Sequence, residues 1–393
     1  MGQETAPPAF DKNTLLRLLR KGLETGASDI HFQVGYFPLY RFNGQLVELR
    51  YKELDHDDCN EIARLLLEAH PKFNEASEFN ELDLAYEIID EGRFRVNISR
   101  QRRSVNVVLR VIPPQIRTFE ELNLPRVLRS IAHEESRGLV LVTGATGMGK
   151  STTLATMIDE VNRERKVKIV TIEDPIEFLF THDKAVISQR EIGTDTSSFP
   201  DALHAALRQD PDVVMVGEMR DHETVDTSLK AAETGHLVFS SIHTADVAST
   251  IGRLVGFFPP DEQSQVRARL SENIRAIVSL RLLLNKKGDG RVPAVEVMRT
   301  TRAIQECIKD PSKVSEITDF IARGRPDGMQ AFDQHLLDLL HANKISLETA
   351  LAAASNQTDF RTRLELEGPQ KSTASEEKPD ETPDIELDLE SRF

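Results

Sequence analysis

The sequence is poor in the residues that cross-link a chain or anchor it in a membrane. Its 393 residues include two cysteines, Cys59 and Cys307, and no tryptophan. Two thiols so far apart in sequence make neither a disulfide framework nor a four-thiolate zinc site. No stretch approaches the roughly 18 uninterrupted apolar residues that a membrane-spanning helix needs. These absences argue against a disulfide-rich secreted domain and against an integral membrane protein.

The chain also lacks an excess of positive charge. The chain has 49 Lys and Arg against 64 Asp and Glu, which argues against a protein whose main task is to coat nucleic acid. Residues Met1–Phe10 lack the basic stretch and apolar run of a signal peptide. We therefore expect a cytoplasmic protein that is still able to dock on a membrane complex. Its length suits two domains and a tail.

The N-terminal part has the pattern of an α+β domain, which we assign to residues 10–112. Leucines recur at helical spacing in Asn13–Thr25, and Asp57–Ala69 is predicted to form a second helix. An Asn43-Gly44 pair predicts a tight turn between two of the strands. The predicted strands are Ile30–Val34, Leu39–Phe42, Gln45–Arg50, Leu84–Ile89, Phe94–Ile98 and Val105–Ile112.

Residues 113–121 are predicted to be a linker. Pro113-Pro114 breaks the preceding pattern, because proline disfavours helix in the residue before it and removes a backbone donor. At the other end of the chain, residues 369–393 contain eight acidic and three basic side chains, a net charge of −5. We expect this segment to be a disordered acidic tail unless a partner orders it.

Residues 122–368 have the pattern of an α/β domain. Short apolar strands alternate with helices, which predicts a parallel sheet covered on both faces, and beyond Pro293 the chain is predicted to be mostly helical. The predicted strands are Leu139–Thr143, Val167–Ile172, Val213–Val216 and Leu237–Ile242, and the predicted helices are Lys150–Asn162, Pro200–Arg208 and Glu223–Glu233.

The most specific motif is a glycine-rich loop between an apolar strand and a helix. It fits G-x-x-x-x-G-K-[ST], in which glycines let backbone N–H groups converge on phosphates and the helix adds its positive end. Lys150 can then reach the β- and γ-phosphates of ATP, and the Ser151 hydroxyl can ligate Mg²⁺. The predicted nucleotide-binding residues are Gly144, Ala145, Thr146, Gly147, Met148, Gly149, Lys150, Ser151 and Thr152.

Three further side chains are predicted on the same sheet edge, because the carboxyl ends of parallel strands meet there. We expect Glu173 to orient or deprotonate the attacking water, Glu218 to stand on the metal side, and His243 to sense or polarise the γ-phosphate. Taken singly, each has a structural alternative. An acidic residue after a strand is often a helix cap, and a lone histidine is often structural.

Arginine is the other requirement of phosphoryl transfer, since it neutralises charge that develops on the γ-phosphate. Arg208 and Arg220 flank the strand before Glu218 and are candidates. A second arginine cluster before the linker has two alternatives, a nucleic-acid stripe or a solvated strand face. No aromatic residues interleave it, so stacking on single strands is not expected. Contact with a nucleotide held by a neighbouring subunit would explain its presence. The cluster comprises Arg93, Arg95, Arg100, Arg102, Arg103 and Arg110.

These motifs resemble the secretion ATPases, and within them the PilT/PilU twitching-motility ATPases. The resemblance runs from Gly26-Ala27-Ser28-Asp29-Ile30-His31 to about Gly368. Thr171-Ile172-Glu173-Asp174-Pro175-Ile176-Glu177 is similar to the family's Asp box, and Val216-Gly217-Glu218-Met219-Arg220-Asp221 to its atypical Walker B. The stretch from Ala232 to Thr244 looks like the His box.

The resemblance implies a PAS-like N-terminal domain joined to a RecA-like P-loop ATPase domain with C-terminal helices. It implies a homohexamer, peripheral at the inner membrane pilus base, that binds the platform protein of a type IV pilus. The family's arginine-rich strand supplies phosphate contacts, which makes Arg103 and Arg110 candidate nucleotide ligands. Relatives that extend pili carry a four-cysteine zinc insert, whereas this chain has only Cys307 in that region, which indicates retraction.

The leading hypothesis is an ATP-hydrolysing hexameric motor subunit that powers type IV pilus retraction. Two alternatives stay open: an accessory subunit of a related retraction ATPase whose own turnover is dispensable, and a RecA-like nucleic-acid translocase, although we expect no nucleic-acid partner. The accessory alternative arises because Ala303–Asp310 keeps the apolar spacing of a retraction motif but loses its first arginine and its asparagine. The phosphate loop, Asp359–Leu364 and the acidic tail are more like PilU.

Overall fold

The computed structural model describes residues 10–42, 44–68, 80–89, 91–112 and 115–367. Several predictions lie outside the described residues: the start of the chain, Asn43 of the turn, the Pro113-Pro114 break, and the acidic tail with Gly368 before it. No helix in the described ranges combines the length and the apolar character that crossing a bilayer requires.

The N-terminal part is an antiparallel six-stranded sheet in the order β3-β2-β1-β6-β5-β4. Along β5, Phe94, Val96 and Ile98 are fully buried and alternate with less buried residues, as expected where one sheet face is covered. Leu15 and Ile62, from the two helices, join the same core. The elements are α1 (Lys12–Thr25), β1 (Asp29–Gln33), β2 (Leu39–Phe42), β3 (Gln45–Glu48), α2 (His56–Leu67), β4 (Glu81–Ile88), β5 (Gly92–Gln101) and β6 (Ser104–Ile112).

The larger part is a seven-stranded sheet in the order β13-β12-β7-β11-β10-β8-β9, in which β13 alone runs antiparallel to its neighbour. Its elements as far as the last strand are α3 (Val127–Glu134), β7 (Gly138–Thr143), α4 (Lys150–Glu164), β8 (Lys168–Glu173), β9 (Val186–Glu191), α5 (Phe199–Ala206), β10 (Val213–Val216), α6 (His222–Glu233), β11 (Leu237–Ile242), α7 (Val247–Val255), α8 (Gln263–Asn273), β12 (Ile274–Leu284) and β13 (Arg291–Arg299).

Helices cover both faces of this sheet. Strands β7, β10 and β11 are buried along their whole length, and hydrophobic clusters lie on either side of them. Such strands have no solvent-facing side, which explains why their sequences are uninterrupted apolar runs. Because β7, β11, β10 and β8 run parallel, their carboxyl ends meet at one edge. The predicted α/β class is confirmed.

The chain continues as helices after the sheet. These are α9 (Arg302–Lys309), α10 (Ile317–Arg323), α11 (Phe332–His341), α12 (Leu347–Ala353) and α13 (Gln357–Glu367), with short 3₁₀ helices at Pro311–Glu316 and Arg325–Asp327. Phe332, Leu336 and Phe360 pack with Val292 in a separate small core.

Each helix and strand predicted by its residue range is present, with its ends shifted by a few residues. The described chain beyond Pro293 is mostly helical, as expected, although β13 continues to Arg299 before the first of these helices. Proline is tolerated there because β13 is the outermost strand. Strands β9, β12 and β13 and helices α3, α7 and α8 were not predicted. The domain boundaries and the PAS-like character of the N-terminal part stay predictions.

Candidate active site

The phosphate loop turns directly from the end of β7 into the start of α4. Gly144, Gly147 and Gly149 have φ values of +148°, +78° and +89°, a region that residues with a side chain rarely adopt. A Cβ atom on Gly144 would also lie 2.8 Å from the carbonyl oxygen of Leu280. The strand–loop–helix context that the motif requires is present, and Gly149, the N-cap of α4, supplies no side-chain hydrogen bond to the first N–H groups of the helix.

Lys150, the first residue of α4, is buried and points back into its own loop. Its Nζ donates to the carbonyl oxygens of Gly144 and Ala145 over 3.0 and 3.2 Å, and lies 3.2 Å from Nδ1 of His243. Burial lowers the pKa of Lys150 from its ordinary value. All three hydrogens of the ammonium group are thus used, at the position where an incoming phosphate would compete for them.

His243 links the lysine to the acidic end of the site. An ammonium group has no lone pair, so Nδ1 of His243 accepts from Lys150 and the ring hydrogen sits on Nε2. Nε2 lies 3.0 Å from Oε1 of Glu218, which fits a donor facing a carboxylate. Glu218 Oε2 is in turn 2.8 Å from Nη2 of Arg220, whose Nη1 lies 3.6 Å from Oδ2 of Asp174. These contacts connect residues that follow four different strands in one series of hydrogen bonds and ion pairs.

Glu173 lies at the same edge but outside this chain of contacts. It is the last residue of β8 rather than the first residue after it, and it is 7% exposed. Its Oε1 accepts from Oγ1 of Thr171 at 2.6 Å and from Nε2 of Gln189 at 3.2 Å. Burial raises the pKa of Glu173 to about 7, against the lowering effect of these hydrogen bonds and of one from the amide of Glu177. A carboxyl with a pKa near neutrality is suited to proton transfer at physiological pH.

The residues that would face a magnesium ion are few. Ser151 is exposed at the start of α4, and Glu218 is the acidic group nearest the lysine in the contact chain. Within the described ranges, no group of three or more His, Cys, Asp or Glu side chains is arranged to hold a metal by itself. Magnesium usually takes one or two protein ligands together with phosphate oxygens and water, so this sparse set fits a nucleotide-borne ion.

The other predicted arginines are not brought to the loop. Arg208 is exposed just after α5, and no side-chain partner is present for it in the described part of the chain. Arg110 pairs with Asp29 of the neighbouring strand over 2.9 Å, while Arg103 lies at the turn between β5 and β6 with a φ of +70°. A nucleotide-binding role for Arg103 and Arg110 stays a prediction, as do the catalytic roles assigned to the other candidates.

Sequence reasoning missed two acidic residues that support this edge. Glu191, on β9 directly beside Glu173, is buried, and its Oε2 accepts the amide of Ile176 at 3.0 Å. Glu296, on β13, is also buried and accepts the amide of Val247, the first residue of α7, at 3.0 Å. Neither position stands at a strand end of the predicted sheet, so no sequence signal distinguished them.

A glycine loop between strand and helix, a buried lysine and a carboxylate–imidazole pair at one sheet edge define a P-loop nucleoside triphosphatase. Residues 10–338 match the family model described as type II/IV secretion system protein. The chain belongs to this family, which confirms the resemblance read from the motifs.

Individual relatives agree along most of the chain. The type IV pilus retractation ATPase PilT of Pseudomonas aeruginosa is 41% identical over 346 residues, covering 88% of this chain and 99% of that protein. The type IV pilus ATPase PilU of the same organism is 38% identical over 350 residues, covering 89% and 91%. A crystal structure of the pilus retraction motor PilT with bound ADP gives a TM-score of 0.80 at 41% identity, covering 88% of this chain and 98% of that one. The leaning towards PilU is compatible with these values.

Proposed function

We propose that this chain is an ATP-hydrolysing subunit of the motor that retracts type IV pili. The observation that carries the proposal is the continuous contact chain from Lys150 of the phosphate loop through His243 to Glu218. The relatives with the same architecture are a type IV pilus retraction ATPase and a pilus retraction motor that binds ADP. ATP is the substrate, and Mg²⁺ is the metal that the phosphates would bring.

Each residue has a role that follows from its position. The backbone amides of the loop and the Lys150 ammonium bind the β- and γ-phosphates, and Ser151 with Glu218 would hold the metal. Magnesium, when bound, neutralises charge on the phosphate oxygens. His243 responds to the γ-phosphate because it shares the lysine with it, and Glu173 accepts the proton of the attacking water once it is ionised.

The arginines that lie away from the phosphate loop are explained by contacts between subunits. Arg220 balances the charge of Glu218 within the series of contacts that starts at Lys150. Arg103, Arg110 and Arg208 do not contact the phosphate loop, and we assign them to a nucleotide at a subunit boundary. A homohexamer, located peripherally at the cytoplasmic face of the inner membrane, would provide such boundaries. The partners are further copies, the pilus platform protein and a related retraction ATPase.

Replacing the lysine tests the motor function. Lys150→Ala should abolish ATP hydrolysis by the purified chain and pilus retraction in cells, because the ammonium that binds the phosphates is lost. Lys184→Ala, which removes an exposed lysine paired with Glu164, is the matched control and should retain both. Normal retraction by cells carrying Lys150→Ala would contradict the motor proposal and favour an accessory subunit.

The accessory alternative has one specific observation behind it. In α9 the apolar positions Ile304, Cys307 and Ile308 are buried, whereas Glu306 is exposed, so the departure from the retraction motif includes surface chemistry and leaves the packing intact. A changed surface with an intact fold is what a different partner would require. Transplanting the motif's arginine and asparagine into this helix and scoring retraction separates the two hypotheses.

A further inference from the structure

Two arginines of the N-terminal sheet touch the ATPase part within the same chain. Nη2 of Arg93, on β5, lies 2.6 Å from Oε2 of Glu191, and its Nε donates to the carbonyl oxygen of Ile176 over 3.3 Å. Arg95, two residues along the same strand, lies 3.4 Å from Glu177. These contacts place part of the arginine cluster against the segment after β8.

The contacts form a closed set around one residue, Ile176. The same Glu191 oxygen that faces Arg93 also accepts the amide of Ile176, so arginine and carboxylate hold both polar groups of that residue. Backbone groups held from both sides have little freedom to shift, because any movement breaks two hydrogen bonds together. Ile176 itself is buried.

The segment held in this way carries the candidate base. Glu191 lies beside Glu173 where β9 pairs with β8, and the amide of Ile192, the next residue, donates to the carbonyl oxygen of Glu173 over 2.9 Å. The amide of Glu177, the residue after Ile176, lowers the pKa of the Glu173 carboxyl. A shift of Glu191 or Ile176 therefore changes the surroundings of the carboxyl that is to take the proton from water. The arginine acts on this carboxyl through Glu191 and Ile176 and does not touch it.

The Arg93–Glu191 pair differs from an ordinary surface ion pair. The two side chains are 13% and 8% exposed, whereas those of Arg20 and Glu91 in the N-terminal part are 47% and 39% exposed. In the described part of the chain no other basic side chain pairs with Glu191. Arg93 also lies 3.3 Å from Glu87 of β4, whereas loss of Arg93 would leave Glu191 as an uncompensated buried charge. Glu191 therefore strongly favours the geometry seen here.

We propose that Arg93 is a positioning residue for ATP hydrolysis, which fixes Glu173 through Glu191 and Ile176 and so makes the rate depend on how the N-terminal part sits against the ATPase sheet. This inference rests on the proposed function. A motor needs such a dependence, because a contact that is made in one arrangement of its two parts and broken in another ties movement to chemistry.

The test compares ATP hydrolysis by the unaltered chain and four purified variants of it. Arg93→Lys keeps the charge but cannot make both contacts of the planar guanidinium, and it disturbs the fold less than Arg93→Ala would. Glu191→Gln removes the carboxylate, and a double variant combines the two changes. Arg20→Ala removes an exposed arginine of α1, in the same N-terminal part, and is the matched control.

We expect Arg93→Lys and Glu191→Gln each to lower kcat roughly tenfold with less than threefold change in KM, since binding of ATP is untouched. The double variant should be no slower than the slower single variant, because both act through one contact. The acid limb of the kcat–pH profile should move to higher pH in Arg93→Lys, where Glu173 loses support for its charged form. Arg20→Ala should match the unaltered chain.

Two outcomes overturn the inference: an unchanged kcat and pH profile in folded Arg93→Lys, or multiplicative effects in the double variant. These results differ from a failure of the proposed function itself. In that case the unaltered chain would not hydrolyse ATP, or Lys150→Ala would hydrolyse it normally.

Discussion

Glu173→Gln should stabilise the protein at alkaline pH while it suppresses hydrolysis. In the folded chain the carboxyl has a pKa of about 7, against an ordinary value of 4.5, because burial penalises its charge. Below pH 4.5 the group is protonated in both the folded and the unfolded state and costs nothing. As pH rises from 4.5 through 7, the unfolded state ionises first, and stability is lost. Above pH 7 the loss has reached its full value.

The size of this loss follows from the two pKa values. A difference between 4.5 and about 7 corresponds to about 3 kcal/mol of unfolding free energy, and a neutral glutamine of the same shape avoids it. The gain is smaller than this limit, because the N–H groups of a glutamine amide are a poorer partner than a carboxylate for the N–H of Glu177. We therefore expect a gain of roughly 1–3 kcal/mol at pH 8 and almost none at pH 4.5.

Urea denaturation of the full-length variant and the unaltered chain at both pH values measures this difference. Glu24→Gln, at a carboxylate that is 68% exposed, is the control and should show no pH-dependent gain. ATP binding should be retained and kcat strongly lowered in Glu173→Gln. Equal stability differences at pH 4.5 and pH 8 would refute the argument that Glu173 is an ionised group held in a buried site. Near-normal turnover would refute its role as base.

Three further outcomes follow from single positions. Gly144→Ala should weaken binding of a fluorescent ATP analogue at least tenfold, since its Cβ would approach the Leu280 carbonyl oxygen to 2.8 Å; unchanged titration curves would contradict this. His335 is buried and accepts the Val295 amide, and burial lowers its pKa to about 4, so the unaltered chain should lose about 3 kcal/mol as pH falls from 6.5 to 4. His335→Gln should flatten that dependence in urea titrations. His243→Ala should lower kcat more than it changes KM, and a change confined to KM would count against a γ-phosphate role.

The site's outline was predictable because it depends on local patterns. The glycines around Lys150 are needed because the backbone of the loop has positive φ values. The short apolar runs before Glu218 and His243 indicate where each strand ends. Parallel strands bring their carboxyl ends to one edge of the sheet, and this does not depend on the conformation of the loops between them. The contact between His243 and both Lys150 and Glu218 is a direct consequence of this register.

The features that could not be predicted from the sequence depend on pairing between segments that are distant along the chain. Glu191 looks like any polar residue of an irregular stretch until β9 pairs with β8 and places it beside Glu173. Strand β12 was missed because its apolar run after α8 is equally compatible with a buried helix. The cation that faces Glu191 comes from a strand nearly a hundred residues earlier, and no local pattern couples Arg93 to it.

Under the proposed function, the contacts of Lys150 connect nucleotide binding to residues beyond the phosphate loop. The ammonium donates to two loop carbonyl oxygens and to His243, so a phosphate that takes one of these hydrogens must displace a partner. Displacing the imidazole would alter contacts outside the loop, because His243 also contacts Glu218, and Glu218 shares Arg220 with Asp174. Asp174 adjoins Glu173 in sequence, and three residues later the segment reaches the Arg95–Glu177 contact. Binding at the phosphate loop and the contact with the N-terminal part thus converge on the residues around the base.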